Sequence, residues 1–235
     1  MRKIVLMFWK SFLILTGCLT IIFFQGCGLI AVLGTESPSK QKTPAEIRLI
    51  KDKEKDKTKK LLVLVKQPSY LNAPPLLGQV LTEQIQARLI ANAALSQSNL
   101  IGGDTLAQFR SSTPNFYSMT PQEIGKALKA DWVLIADLTA YKLVNVANTE
   151  YYSGSLIGRA FLIDIADSRQ IWPADSGDKK IDVGFDVERK GSQAALIRLA
   201  AAYAHCATRY FYDCPVSKFK IADDKSALVW SQWGD

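Results

Sequence analysis

The chain has 235 residues, with 29 Lys and Arg against 22 Asp and Glu, for a formal net charge of +7. The excess is not spread evenly: residues 1–26 carry three bases (Arg2, Lys3, Lys10) and no acid, residues 28–60 nine bases and five acids, and residues 61–235 seventeen of each. A neutral folded part argues against a nucleic-acid binder, which needs basic charge on the domain itself. The roughly 175 residues after position 60 suffice for one domain with a substantial core.

Met1–Lys10 is a short basic region, and Phe12–Phe24 is an apolar run broken only by Thr16, Gly17, Cys18 and Thr20. The run is longer than a minimal signal core and shorter than a membrane span of about 20 residues. Of the two candidate sites, Leu15-Thr16-Gly17-Cys18 resembles the lipobox pattern better letter by letter, yet cutting there leaves only a short apolar run before it and a greasy start after it. Phe24-Gln25-Gly26-Cys27 places a small residue before a cysteine at the end of the full run. Cys27 is therefore the expected lipidation site, with 1–26 a signal peptide and 27–60 a lipidated Cys and charged tether. An uncleaved anchor over Phe12–Leu33 and a plain secreted chain are the alternatives. The bases downstream count against the anchor, because positive charge prefers the cytoplasmic side.

Gly34–Lys60 lacks apolar periodicity beyond Ile47, Leu49 and Ile50 and ends in KDKEKDKTKK, the pattern of a solvated spacer. Thr43-Pro44-Ala45-Glu46 reads as a capping box that would start a short helix. Leu61–Val65 is a continuous apolar run, as in a strand buried on both faces. Pro74-Pro75 precedes an amphipathic helix over Leu76–Leu95. Ser98–Ile101 is a candidate second strand, followed by a helix Thr105–Arg110 capped by Asp104. Thr120-Pro121-Gln122-Glu123 is the clearest capping box in the chain and opens a helix over Pro121–Leu128.

Trp132–Tyr141 is a long strand, Tyr151–Gly154 a hairpin turn or loose loop, and Leu156–Ala166 an alternating strand. Asp167–Gln170 turns the chain, and Ile171-Trp172 opens a strand that resumes at Ile181–Phe185. Ser192 caps an Ala-rich helix over Gln193–Phe211, and Ala227–Trp230 is a candidate edge strand in a tail of residues 216–235. The order β-α-β-α-α-β-β-β-α, with a helical pair early and an antiparallel meander late, predicts an α+β domain with a mixed sheet over 61–215, approaching a three-layer α/β arrangement.

An exported domain permits Cys206 and Cys214 to form a disulfide, which over so short a loop would stabilise the fold by roughly 2–3 kcal/mol in the chain-entropy account. Free thiols are the alternative. A metal site would need His205 beside them, but adjacent helical residues point apart and no fourth ligand is evident.

Several of these segments resemble a known family. The LLVLV strand after a tether, the Pro121–Leu128 helix, Ala130-Asp131-Trp132-Val133-Leu134-Ile135, and Ala160–Asp167 with Ile171-Trp172 closing are similar to the CsgG/LpoB-like periplasmic lipoproteins, whose domain resembles the N-terminal domain of TolB. The resemblance spans about residues 61–205 and rests on structural, not catalytic, motifs. It implies an envelope lipoprotein that stimulates peptidoglycan synthases, builds a secretion pore or has a less defined envelope role. Gly28 after the lipidated cysteine would then favour the outer membrane. A pore needs two long membrane hairpins, and the interval between the long strands has no room for them.

Chemistry is sparse. His205 is the single histidine, and a Ser-His-Asp or Cys-His site would have to use it. A carboxylate pair for glycan hydrolysis could be drawn from Asp137, Asp164, Asp167, Asp175 or Asp186, with no spacing to select two. No catalytic residue, metal ligand or cofactor is assigned. The partner-binding candidates are Tyr117, in a Ser-flanked loop, and Tyr151 and Tyr152 at the hairpin, since exposed aromatics anchor interfaces; Trp230 and Trp233 in the tail are of the same type. The expected function is that of a non-enzymatic envelope lipoprotein, held to the membrane by lipid and facing the periplasm, that binds and modulates or assembles another envelope protein. Self-association is one mode of assembly. An accessory subunit of a transporter and a carboxylate-dependent wall hydrolase are the alternatives.

Overall fold

The computed structural model describes residues 41–51, 58–175, 177–188 and 191–221. Cys27, the expected lipidation site, and Trp230 and Trp233 of the tail lie outside the described residues. Strand β2 (Leu61–Lys66) is buried over its first five residues, as its unbroken apolar run requires. It pairs in parallel with the first six residues of β3 (Trp132–Asn145), from Leu61 opposite Trp132 to Lys66 opposite Asp137. Strand β3 then continues for eight residues beyond its neighbour. It turns at 146–151 into β4 (Tyr152–Asp164), its antiparallel partner along its whole length.

Strands β5 (Arg169–Trp172) and β6 (Lys179–Glu188) both lie antiparallel to β4, the first against residues 162–164 and the second against 152–160. They are two halves of one interrupted edge strand, in line with the expectation of a strand that opens at Ile171 and resumes at Ile181. The expected loop at Tyr151–Gly154 is corrected, because β4 already begins at Tyr152. The fold is α+β with a mixed sheet.

One face of the sheet is covered by α1 (Leu76–Asn92) and α4 (Gly191–Thr208). Leu77, Leu81, Ile85 and Leu89 of α1 recur every fourth residue and are fully buried against Leu61, Val63, Leu134 and Leu162. In α4 the buried positions are mostly small (Ala195, Ala200, Ala202, Ala204, Ala207), which lets the helix lie close to the sheet. The approach is tightest at Gly158, where a Cβ would stand 2.6 Å from both the Asp137 carbonyl oxygen and the Tyr203 hydroxyl. Trp172 closes this core, its ring 4.9 Å from that of Phe211.

The second face is covered in part by α2 (Gly103–Ser112), the 3-10 turn Phe116–Ser118 and α3 (Pro121–Ala127). Leu106, Phe116 and Ile124 there meet Leu62, Leu64, Val133, Ile135 and Ile163. The Thr120 capping box forms as read: Thr120 Oγ1 accepts from the Glu123 amide (3.2 Å) and Glu123 Oε2 from the Thr120 amide (2.7 Å). The expected cap by Asp104 is replaced, since α2 starts two residues earlier with Gly102 at its cap. The expected strand over Ser98–Ile101 is also corrected. Ser96 and Asn99 form a capping box around the 3-10 turn Gln97–Asn99, leaving a single bridge from Leu100 to Leu61.

The expected tether ends sooner than its composition indicates. Lys42–Thr43 (β1) pairs antiparallel with Cys214–Pro215 (β7), just before the short helix α5 (Val216–Ile221). The helix expected from Thr43–Glu46 does not form. The Glu46 and Ile47 amides donate to the Tyr210 carbonyl (2.9 and 3.3 Å), and the Glu46 carboxylate accepts from Trp172 Nε1 (2.8 Å) and Lys179 Nζ (2.9 Å). Tertiary partners outbid the local cap. Leu49 is 4 % exposed and belongs to the main core. Among the described residues no helix is long and apolar enough to cross a membrane.

Candidate functional site

Among the described residues, nothing covers the second face of the sheet beyond α2 and α3. Alternation along the strands assigns its residues. Lys66, Asp137, Arg159 and Lys180 are successive cross-strand partners and form one transverse row of charge; Ala140, Ile157 and Asp182 form the next, and Lys142, Ser155 and Gly184 a third. All of these residues are exposed or half-exposed. Between Leu138 and Ala140 the β3–β4 register slips by one residue. That slip places Thr139 out of the ladder and turns Lys142 and Val144 onto this face, while Tyr141 and Leu143 pack against the main core.

Arg159 organises the first row. Its Nε and Nη2 donate to Asp137 Oδ2 (3.1 and 2.9 Å) and its Nη1 to Asp178 Oδ2 (3.1 Å). The Asp137 hydrogen bond, then its charge, hold the guanidinium pKa above its ordinary value. A shallow cleft of about 280 Å³ beside it is lined by Arg159, Phe161, Gln170, Gly177 and Asp178. The arrangement is a flat floor of small side chains crossed by fixed charges, suited to recognising a complementary surface.

The structure separates the tyrosine candidates. Tyr117 is 87 % exposed and stacks edge-on against Phe116, 5.5 Å between centroids, on the side of the second cluster. Tyr152 is half-buried and packs against the main core, with Tyr151 half-buried beside it at the hairpin end. The three do not form one patch.

Three of the five carboxylates considered for glycan hydrolysis are engaged. Asp137 pairs with Arg159, Asp164 Oδ1 accepts from the Ala166 and Asp167 amides, and Asp175 Oδ1 from the Gly177 amide. Asp167 is exposed in its turn, and nothing is described of the Asp186 side chain. Among the described residues no group of three or more His, Cys, Asp or Glu side chains is gathered to hold a metal ion.

The Cys206–Cys214 disulfide is not formed in this structure: both cysteines are buried and unbridged. Cys214 is drawn into β7 opposite Thr43, and burial pushes its thiol pKa up, which disfavours the reactive thiolate. His205 is 3 % exposed, with Nε2 3.2 Å from the Lys218 carbonyl oxygen. Burial first, then the charge of Arg88, lowers its pKa to about 3, so the ring is neutral.

The charged rows of the sheet were not singled out from sequence. Their signal was present as charged residues, Asp137 and Arg159, inside largely apolar stretches.

No protein-family profile matches the chain, and no curated protein matches it. Solved structures similar to it include a PelC dodecamer from Paraburkholderia phytofirmans (12 % identity, 74 % of this chain and 96 % of that one, TM-score 0.38). Others are lipoprotein GNA1162 from Neisseria meningitidis (16 %, 61 % and 94 %, TM-score 0.38) and the LpoB C-terminal domain from Salmonella enterica (16 %, 54 % and 82 %, TM-score 0.34). Likenesses of this degree assign neither family nor function to the chain.

Proposed function

We propose that this chain is a non-enzymatic envelope lipoprotein, lipidated at Cys27, whose periplasmic domain binds another envelope protein and modulates or assembles it. Residues 1–27 have the charge, apolar run and cysteine placement of a lipoprotein leader, and Gly28 is compatible with transfer to the outer membrane. The observation that carries the binding role is the part of one sheet face that no described residue covers beyond α2 and α3, with Ile157 half-exposed on a floor of small residues between the Arg159 row and Lys142. Tyr117 is a second contact point on the same side of the sheet. Lipid at Cys27 would supply location and effective concentration.

The test is in-cell crosslinking and affinity capture of the intact protein beside Cys27→Ala and Ile157→Glu variants. The expected result is specific recovery of one envelope protein that falls at least tenfold in each variant while the domain stays folded. Recovery that neither substitution changes would sink the reading. The identity of the captured protein distinguishes a wall synthase from a transporter as client.

A further inference from the structure

We propose that residues 42–51 form a releasable strap, giving the folded domain two reaches from its anchor. The consequence for reach rests on the reading of Cys27 as the lipidated residue; the strap itself does not. Docked, only residues 28–41 separate Cys27 from the domain, at most about 50 Å of fully extended chain; released, residues 28–60 do, at most about 115 Å.

The strap's ion pairs lie at the surface, while Leu49 enters the main core and Ile47 and Ile50 pack against it. Arg48 Nη2 meets both Asp213 oxygens (2.7 and 2.8 Å), and Asp213 Oδ1 also accepts from the Ala45 amide (3.1 Å). The side chains of the Arg48–Asp213 pair are 60 % and 40 % exposed, and those of Lys179–Glu46 30 % and 40 %. Exposed pairs of this kind hold weakly and are screened by salt. The β1–β7 ladder has two residue pairs, and Leu49 is the one side chain of the described strap that is fully in the core.

Against release stands Trp172, 2 % exposed, whose indole N–H would lose its Glu46 acceptor. The docked state is therefore favoured, yet the segment can leave without dismantling the sheet. Release also reaches the open face. Lys179, held by Glu46, directly follows Asp178, which binds Arg159 in the cleft.

The native cysteine in β7 supplies a lock. Thr43 is the cross-strand partner of Cys214, and antiparallel partners stand about 4.5–5.5 Å apart, within disulfide range. The experiment is hydrogen exchange of the full-length lipidated protein in detergent micelles, carrying Thr43→Cys with Cys206→Ala to remove the competing thiol. Reduced, the Glu46 and Ile47 amides should exchange at least 100-fold faster than that of Leu134 in β3; oxidised, at least tenfold slower than reduced, with Leu134 unchanged. A second variant, Glu46→Gln with Asp213→Asn and native cysteines, should speed exchange at Glu46 and Ile47 alone. Strap amides that exchange only at the pace of Leu134, or a second variant that speeds both equally, would overturn the proposal. Neither result touches the binding role, because no client is present.

Discussion

Gly158 and His205 show how single residues limit what the fold tolerates. Gly158 lies where α4 touches β4, and an added Cβ would meet backbone on one side and the Tyr203 hydroxyl on the other. Gly158→Ala should therefore destabilise the domain by about 1–3 kcal/mol, lowering the melting temperature by several degrees. His205 gives a pH signature with a definite sign. Its folded pKa is lowered to about 3 by burial and by Arg88, with Arg209 and Lys218 acting in the same direction and the Lys218 carbonyl opposing. The unfolded chain takes up a proton near pH 6.5, so stability is full above that pH and falls as pH drops toward 3, by at most about 1.4 kcal/mol per pH unit. Urea titrations at pH 7, 6 and 5 should show this decline, and a His205→Gln variant should show a flatter one. Equal slopes in the two proteins would refute the assignment.

At the scale of elements, local signals were reliable where no distant partner competed for the same groups. The Thr120–Glu123 box was legible because both of its bonds are local, and α3 begins where the sequence places it. Thr120→Ala should cost about 1 kcal/mol of stability, read as a lower urea midpoint with an unchanged m-value. The similar Thr43–Glu46 signal failed because Trp172, Lys179 and Tyr210 claim the Glu46 carboxylate and amide from more than a hundred residues away. Such partners have no trace in a local window. Ser98–Ile101 failed for a third reason: Ser96 and Asn99 commit the backbone to a turn before pairing can extend past Leu100.

For the molecule as a whole, the α+β class and the order of the long strands and helices could be read from periodicity, because buried faces impose it. The open face could not. Its residues are spread over four strands, and their convergence depends on register and on the slip at Thr139. That convergence has a colloidal cost. Strand β3 runs eight residues past β2, and among the described residues no strand pairs with this outer edge. Such a ledge is a template on which another chain can hydrogen-bond, with Val144 45 % exposed upon it. Lys142 and the irregularity at Thr139 are the features that guard it, one by charge and one by twist. Lys142→Val should leave the melting temperature within about a degree while light scattering at high concentration rises steeply. A variant as soluble as the parent would mean that twist alone protects the edge. A chain held on a membrane by the proposed lipid would meet its own copies continually, and a single lysine is a small safeguard against permanent entanglement.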